Sequence, residues 1–276
     1  HFAAKALSNI SILKYINNLG LGLDAVSIEE VRTGIKCGYD VKKILFTPNG
    51  VNFSEIEEAM ALGVKINLDS LESVIDFSKA YPNETVSVRI NPGVKAGGNE
   101  NISVGHVDSK FGIAEESIDK IVKMDEEKKI KVTTLHIHTG SDVIENNHFE
   151  LGIKKIFLIA HKFKNIETID LGGGIKIPYF FGDTETDLNK YAEVINEEVK
   201  KFKLAKGKEL KIIFEPGKFL VSDSGYFITK VNYLKKSSKN TFVQVNSGFN
   251  HFVRPTLYKS YHEIVNLSNP NDKKFD

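Results

Sequence analysis

A lysine, a histidine, a glycine triplet and a glutamate carry most of the chemistry this chain has to offer. The opening stretch "HFAAKALSN" sets Lys5 in an apolar, strand-like run. Its ammonium either snorkels to water while the stem packs, or sits in a dry site where desolvation lowers its pKa and leaves a nucleophilic amine. Lysine is rarely buried without a partner or a task, so this run alone favours the first reading. "HIHTGSD" ends another strand-like run with His138, Gly140 and Ser141, and its two histidines, two residues apart, share a strand face. A lone histidine there is more often structural than catalytic. A metal is not expected, because no third ligand stands at a familiar spacing.

Two further clusters follow strands. "DLGGGIKIPY" carries Gly172, Gly173 and Gly174, where the chain either turns sharply or approaches a ligand closely. Free N–H groups in such a turn make an anion nest suited to phosphate. "FEPGKFL" supplies Glu215, Pro216, Gly217 and Lys218. This carboxylate could take part in an ion pair or hold a protonated ring nitrogen, and the turn after it could help bind an anion. Farther on, "FNHFVRPTLYKSYHEI" gathers Arg254, Tyr258, Tyr261 and His262. Arg254 can fork onto a carboxylate, and Tyr258 reaches the same group if the segment is helical. A solvated polar face is the plain alternative. Asp24 and Arg89 end two early runs and read equally well as salt-bridge members.

The elements that must position these residues alternate along the first 215 residues. Strand-like runs cover 1–4, 23–26, 43–46, 64–68, 86–90, 132–138, 166–171 and 211–214, separated by helical patterns at 8–19, 28–37, 54–62, 71–80, 116–124, 149–163 and 189–202. Ser27 with Glu30, and Ser54 with Glu57, suggest capping boxes. Strict alternation of eight strands with helices predicts an α/β fold, a (β/α)8 TIM-type barrel over 1–218. An open doubly wound sheet is the rival, but its GxGxxG turn is missing. Over 219–276 the texture changes to two strands, 226–234 and 241–245, around the polar turn "KKSSKN", the start of an incomplete β domain.

Composition sets outer bounds. With 276 residues, 41% hydrophobic, the chain is long enough for a large core. Lys and Arg total 37 against 36 acids, a formal charge of +1, so nothing points to nucleic acid or an anionic membrane as partner. The single cysteine, Cys37, excludes an intrachain disulfide framework and fits a reducing, cytoplasmic setting. No apolar run reaches the ~20 residues of a membrane span. No signal peptide is visible, although the chain opens on His1 in mid-strand.

In this order along the chain, the motifs resemble the pyridoxal-phosphate decarboxylases built on an alanine racemase type of barrel, and within them the diaminopimelate decarboxylases. The likeness runs from "HFAAKALSN" through "SVGHVDSKFGI", "HIHTGSD" and "EPGKFLVS" to "NSGFNHFVRPTLYKSYHEI". It implies that Lys5 and His138 are catalytic: Lys5 holds pyridoxal 5'-phosphate covalently and His138 stacks on its ring. It further implies that Ser141, Gly172, Gly173, Gly174 and the Pro216, Gly217 and Lys218 turn cradle the phosphate, that Glu215 keeps the ring nitrogen protonated, and that Asp24 belongs to the cofactor-binding set. Lys218, Arg254 and Tyr258 fall to the substrate, with Arg254 on a distal carboxylate.

By the same resemblance the reaction is decarboxylation of meso-2,6-diaminopimelate to L-lysine, in a homodimer whose partner subunit completes each site. The family's downstream cysteine and glutamate segment is missing, Lys218 stands where many relatives have arginine, and Asn246 where many have aspartate. A sister decarboxylase for another amino acid or for carboxynorspermidine, a regulatory homologue without activity, and a phosphate-binding barrel without the cofactor are the alternatives.

Overall fold

The computed structural model describes residues 1–94, 109–140 and 146–271. Eight parallel strands follow one another around a single sheet: β1 (Phe2–Ala3), β2 (Leu23–Ala25), β3 (Ile44–Phe46), β4 (Lys65–Leu68), β5 (Thr85–Arg89), β6 (Lys131–His136), β7 (Thr168–Asp170) and β8 (Lys211–Ile213). The two edges meet through main-chain bonds, Ala3 N to Pro216 O at 3.2 Å and His1 N to Phe214 O at 2.7 Å, so the sheet curls shut. Closure leaves no edge for another strand to pair with, and its inward side chains form an interior.

Helices α1 (Ile10–Asn18), α2 (Ile28–Lys36), α3 (Phe53–Ala61), α4 (Leu71–Ala80), α5 (Ile118–Glu126), α6 (Asn146–Ala160) and α7 (Leu188–Lys206) alternate with the strands. Several are started by side chains that take up free N–H groups: Asn9 accepts from Ser11 and Ile12, Ser70 from Ser73, and Asp187 from Asn189 and Lys190. Ser27 accepts from the Glu30 N–H as expected, while Glu30 reaches one residue further back, to Val26 N at 2.8 Å. The box expected at Ser54 begins two residues earlier. The chain turns helical at Phe53, so Asn52 is the cap and Glu55 accepts from its N–H at 3.4 Å. Between strands and helices, Phe46, Phe77, Phe157 and Phe202 are fully buried, the last two edge to face at 6.3 Å.

The chain divides into two units. The first is His1–Ile177 with Glu185–Ser222, and the second is Pro178–Thr184 with the chain from Asp223 onward. The expected boundary at 218/219 thus moves four residues, because Lys218–Val221 forms a short helix, α8, that stays with the barrel. The excursion at 178–184 had no sequence signal. In the second unit β9 (Val231–Lys236) pairs antiparallel with β10 (Thr241–Val245). Residues 226–230, expected as strand, are not: β10 ends at Val245, and the next residue, Asn246, ties down the strand's approach. Its Oδ1 accepts from Thr229 Oγ1 at 2.7 Å and Lys230 N at 2.9 Å. An aspartate would accept both bonds equally well, so the departure at Asn246 is structurally neutral. Among the described residues no helix is long and apolar enough to cross a membrane.

Phe77 is fully buried and contacts Tyr81 at 5.2 Å between ring centres. Phe77→Ala should cost ~3–5 kcal/mol in chemical denaturation. A midpoint unchanged from wild type would contradict this packing.

Candidate active site

Strand register carries a band of polar side chains into the barrel interior, a space that similar barrels fill with branched apolar residues. Asp24 lies on β2, Asn67 on β4, Ser87 and Arg89 on β5, His136 on β6 and Asp170 on β7, while Thr47 and Glu215 stand just past β3 and β8. In the sheet Arg89 is the partner of His136, and His136 of Asp170. All are buried, with Asn67 and Asp170 at 0% exposure and His136 at 1%. Buried polar groups have to find one another. Asn67 Nδ2 lies 2.6 Å from His136 Nδ1 and donates to Thr47 Oγ1 at 3.3 Å, while its Oδ1 accepts from Ser87 Oγ at 3.0 Å. His136 Nε2 is 3.3 Å from Glu215 Oε2.

The electrostatics follow from three acids sharing one dry interior. Burial and the Glu215 charge push Asp24 up to about 7, against the pull of Lys5 and a hydrogen bond from Thr47. Burial, then Glu215, drives Asp170 well above the carboxylate range, although its Oδ1 accepts from Gly172 N at 2.9 Å. Burial would raise Glu215 as well, but the contact with His136 and the Lys5 charge pull the carboxyl below its ordinary range, and the imidazoles add their full pull only while they are charged. Burial keeps the His136 imidazole below its usual range. His136 Nε2 lies beside the Glu215 carboxylate without closing a hydrogen bond to it, so Nε2, Glu215 Oε1 and Asp170 Oδ2 are all buried polar atoms without a partner among the described residues. Glu215 keeps the negative charge and Asp170 the proton.

One expectation needs correcting here. Ligand atoms of His136, Asp170 and Glu215 all lie within 4.8 Å of one another, so the histidine pair does have carboxylates beside it. Neighbouring strands bring them there, which sequence spacing cannot show. Metal ligation needs the deprotonated forms, and a protonated Asp170 suits a hydrogen-bonded network instead.

Lys5 stands at the carboxyl-end mouth of this interior. The run left two readings of Lys5 open, an ammonium reaching water and an amine in a dry site, and by itself favoured the first. In the structure β1 stops at Ala3 and a 3-10 turn, Ala4–Ala6, closed by Leu7 N to Ala4 O at 3.1 Å, swings Lys5 outward, where it is exposed. Its charge is nonetheless felt by Asp24, His136, His138 and Glu215. Gly217 sets its position: a Cβ there would lie 2.9 Å from Ala6 Cβ and 3.2 Å from Ala3 Cβ, so only glycine lets the turn after Glu215 pack against the turn carrying Lys5.

The glycine triplet serves close packing before anything else. A Cβ on Gly172 would meet Ile137 O at 2.7 Å, and one on Gly173 would meet Glu215 O at 2.5 Å. The nest read from the sequence is reduced, because the Gly172 N–H donates to Asp170 and the Gly173 N–H to His138 Nδ1, the latter at 3.2 Å. That bond makes Nδ1 of half-buried His138 an acceptor, and burial together with the Lys5 and Arg89 charges holds the ring well below its usual pKa. His138 is neutral and oriented from behind by the glycine loop. Lys218 is half-buried in α8.

In the second unit "RPTLY" is helical, α9 (Arg254–Tyr258). Arg254 and Tyr258 lie one turn apart and both are half-buried, so the segment is more than a solvated face. The Arg254 guanidinium donates to Tyr179 Oη and Ser260 Oγ, each at 3.3 Å, and lies over the Tyr179 ring at 5.5 Å. Ser141 and residues 103–108 of the "SVGHVDSKFGI" motif lie outside the described residues. Sequence reasoning missed Asn67, Thr47, Asp170 and Tyr179 altogether and gave the first histidine of "HIH" no role, although its two-residue spacing from His138 did mark one strand face.

A raised carboxyl pKa means the folded state binds the extra proton. The Asp24 contribution to stability is complete below the ordinary value of 3.8 and is lost as pH rises toward about 7. Relative to wild type, Asp24→Asn should become progressively more stable between these limits, by at most about 1.4 kcal/mol per pH unit. Parallel stability curves for the two proteins would contradict the placement of Asp24. Gly173→Ala should destabilise by ~1–3 kcal/mol through the clash with the Glu215 carbonyl, and unaltered thermal unfolding would exclude that contact.

The family model for the pyridoxal binding domain of pyridoxal-dependent decarboxylases matches residues 1–222. Diaminopimelate decarboxylase of Methanothermobacter thermautotrophicus is 34% identical over 99% of this chain and 65% of its own length. The Escherichia coli K12 enzyme of that name is 30% identical over 97% of the chain and 64% of its own length. The chain therefore spans slightly less than two thirds of these relatives. The crystal structure of diaminopimelate decarboxylase from Helicobacter pylori complexed with L-lysine superimposes with a TM-score of 0.86 at 31% identity, over 96% of this chain and 67% of that one. With the matched segment carrying Lys5, His138, the glycine triplet and Glu215 on one barrel, the chain belongs to the pyridoxal-dependent decarboxylases.

Proposed function

We propose that the protein binds pyridoxal 5'-phosphate through Lys5 and decarboxylates meso-2,6-diaminopimelate to L-lysine. One observation carries the cofactor part. The ionised Glu215, 7% exposed, has an oxygen, Oε1, without a hydrogen-bond partner among the described residues, in the same charge-coupled cluster as the accessible Lys5 amine. A buried anion with an open acceptor fits a protonated ring nitrogen, and an accessible amine fits an aldehyde carbon. Family membership supports the same reading.

The cofactor, when bound, supplies the electron sink for the charge left as carbon dioxide departs. Lys5 would hold it and later release it to the substrate amine. Glu215, held below its ordinary pKa, would keep the proton on the ring nitrogen. His138, fixed through its Nδ1 by Gly173, would present an uncharged ring face for stacking. With the Gly172 and Gly173 amides engaged, the phosphate would fall to Gly174 and the turn of Pro216, Gly217 and Lys218, with Ser141.

The substrate part rests on the relatives' names, on the bound lysine of the Helicobacter pylori structure, and on Arg254, whose planar fork suits a distal carboxylate. Tyr258, one helical turn away, and Lys218 belong to the same proposal, as do a homodimer and a cytoplasmic location. The arginine decarboxylase of the Paramecium bursaria Chlorella virus, 21% identical with a TM-score of 0.79, shares the fold alone.

Adding pyridoxal phosphate should produce a visible absorbance band that is lost in Lys5→Ala. Carbon dioxide release is expected from meso-diaminopimelate but not from ornithine or arginine, and Arg254→Ala should lower kcat/KM by roughly 10 to 100-fold, the worth of a charge-assisted hydrogen bond. A band that survives in Lys5→Ala overturns the cofactor assignment. Equal turnover of ornithine overturns the substrate assignment.

A further inference from the structure

We propose that His136 is a positioning residue for Glu215, and that Asn67 determines which His136 nitrogen carries the proton. This deepens the function proposed above and rests on it for what Glu215 meets.

Asn67 is oriented by Thr47, whose hydroxyl hydrogen goes to Asp24 and whose oxygen therefore accepts from the Asn67 amide. Its carbonyl oxygen accepts from Ser87 Oγ at 3.0 Å, and one amide hydrogen goes to Thr47 Oγ1 at 3.3 Å. The other hydrogen points at His136 Nδ1, 2.6 Å away. A nitrogen that receives an N–H must offer a lone pair, so the single proton of the neutral ring sits on Nε2. Nε2 is the atom that faces Glu215 Oε2, at 3.3 Å. Asn67, His136 and Glu215 are 0%, 1% and 7% exposed, so their contacts are shielded from bulk solvent.

The groups around the ring favour the same state. Arg89 and Asp170 flank His136 on the adjacent strands, and Lys5 and Arg89 oppose a second positive charge there. Nε2 makes no hydrogen bond elsewhere among the described residues, so a small turn of either side chain closes the 3.3 Å contact with Oε2 without neutralising the carboxylate and leaves Oε1 as the charged acceptor. Without the donor, the Glu215 side chain could turn either oxygen, or neither, toward a ligand. The chain of contacts runs from β4 through β6 to the turn after β8, and Pro216 and Gly217 constrain only the main chain of that turn.

The test begins with the wild-type protein without cofactor, by nitrogen-15 NMR of the histidine rings, with the His136 signals assigned from their loss in His136→Gln. A neutral ring protonated on Nε2 at neutral pH is expected. A proton on Nδ1, or a doubly protonated ring, overturns the proposal whether or not the protein binds cofactor. With cofactor added, His136→Gln, which can still donate, should keep kcat within ~3-fold. His136→Leu and Asn67→Asp should lower it by roughly 10 to 100-fold with KM unchanged, as loss of an orienting partner does elsewhere, and should shift the pH midpoint of the cofactor absorbance. If His136→Leu keeps the wild-type pH profile, the relay has no role. A wild-type protein with no absorbance band would overturn the proposed function, while the NMR result would still decide the proton position.

Discussion

Three carboxyl groups, Asp24, Asp170 and Glu215, share the dry interior of one closed sheet with one buried guanidinium, Arg89. Burial penalises each acid, and each acid raises the cost of ionising the next. The protein resolves this by position. Glu215 has the imidazole of His136 at its side and the Lys5 charge at the mouth, so it ionises, while Asp170 faces Glu215 and keeps its proton. The remaining polar atoms of the layer are arranged to support that one charge.

Several backbone features make sense as consequences. Gly172 and Gly173 let the ends of β6, β7 and β8 come close enough for Asp170, His138 and Glu215 to meet, and their N–H groups orient two of those side chains. Gly217 brings the Lys5 turn against the turn that follows Glu215. Sheet closure at Ala3 and Pro216 joins the first strand to the last, so residues more than 200 positions apart in sequence share one mouth. Glycine's freedom at these turns is used less for binding than for allowing charged groups to approach without intervening side chains.

The fold was legible because strand and helix periods differ and alternate cleanly. Eight apolar runs became eight strands with no end moved by more than two residues. The charged site was legible only in part. Lys5, His138 and Glu215 stand out as polar residues at the ends of apolar runs, whereas Asn67 and Asp170 lie inside such runs and read as ordinary strand polarity. Only strand order and register show that Asn67 faces His136 and that Asp170 faces Glu215. The exposure of Lys5 is what its run favours, but the turn that produces it was not legible. Whether a strand end continues straight or folds into a 3-10 turn depends on one main-chain bond, Leu7 to Ala4, that residue types do not announce.

The measurement closest to the central claim is the protonation of the buried carboxyls, read by infrared difference spectroscopy of the cofactor-free protein at neutral pH, with Asp170→Asn as reference. A protonated carboxyl band that disappears in Asp170→Asn is expected, together with a carboxylate band that disappears in Glu215→Gln. An ionised Asp170 beside a protonated Glu215 would contradict it, because the charge offered to a ligand would then be on the wrong residue.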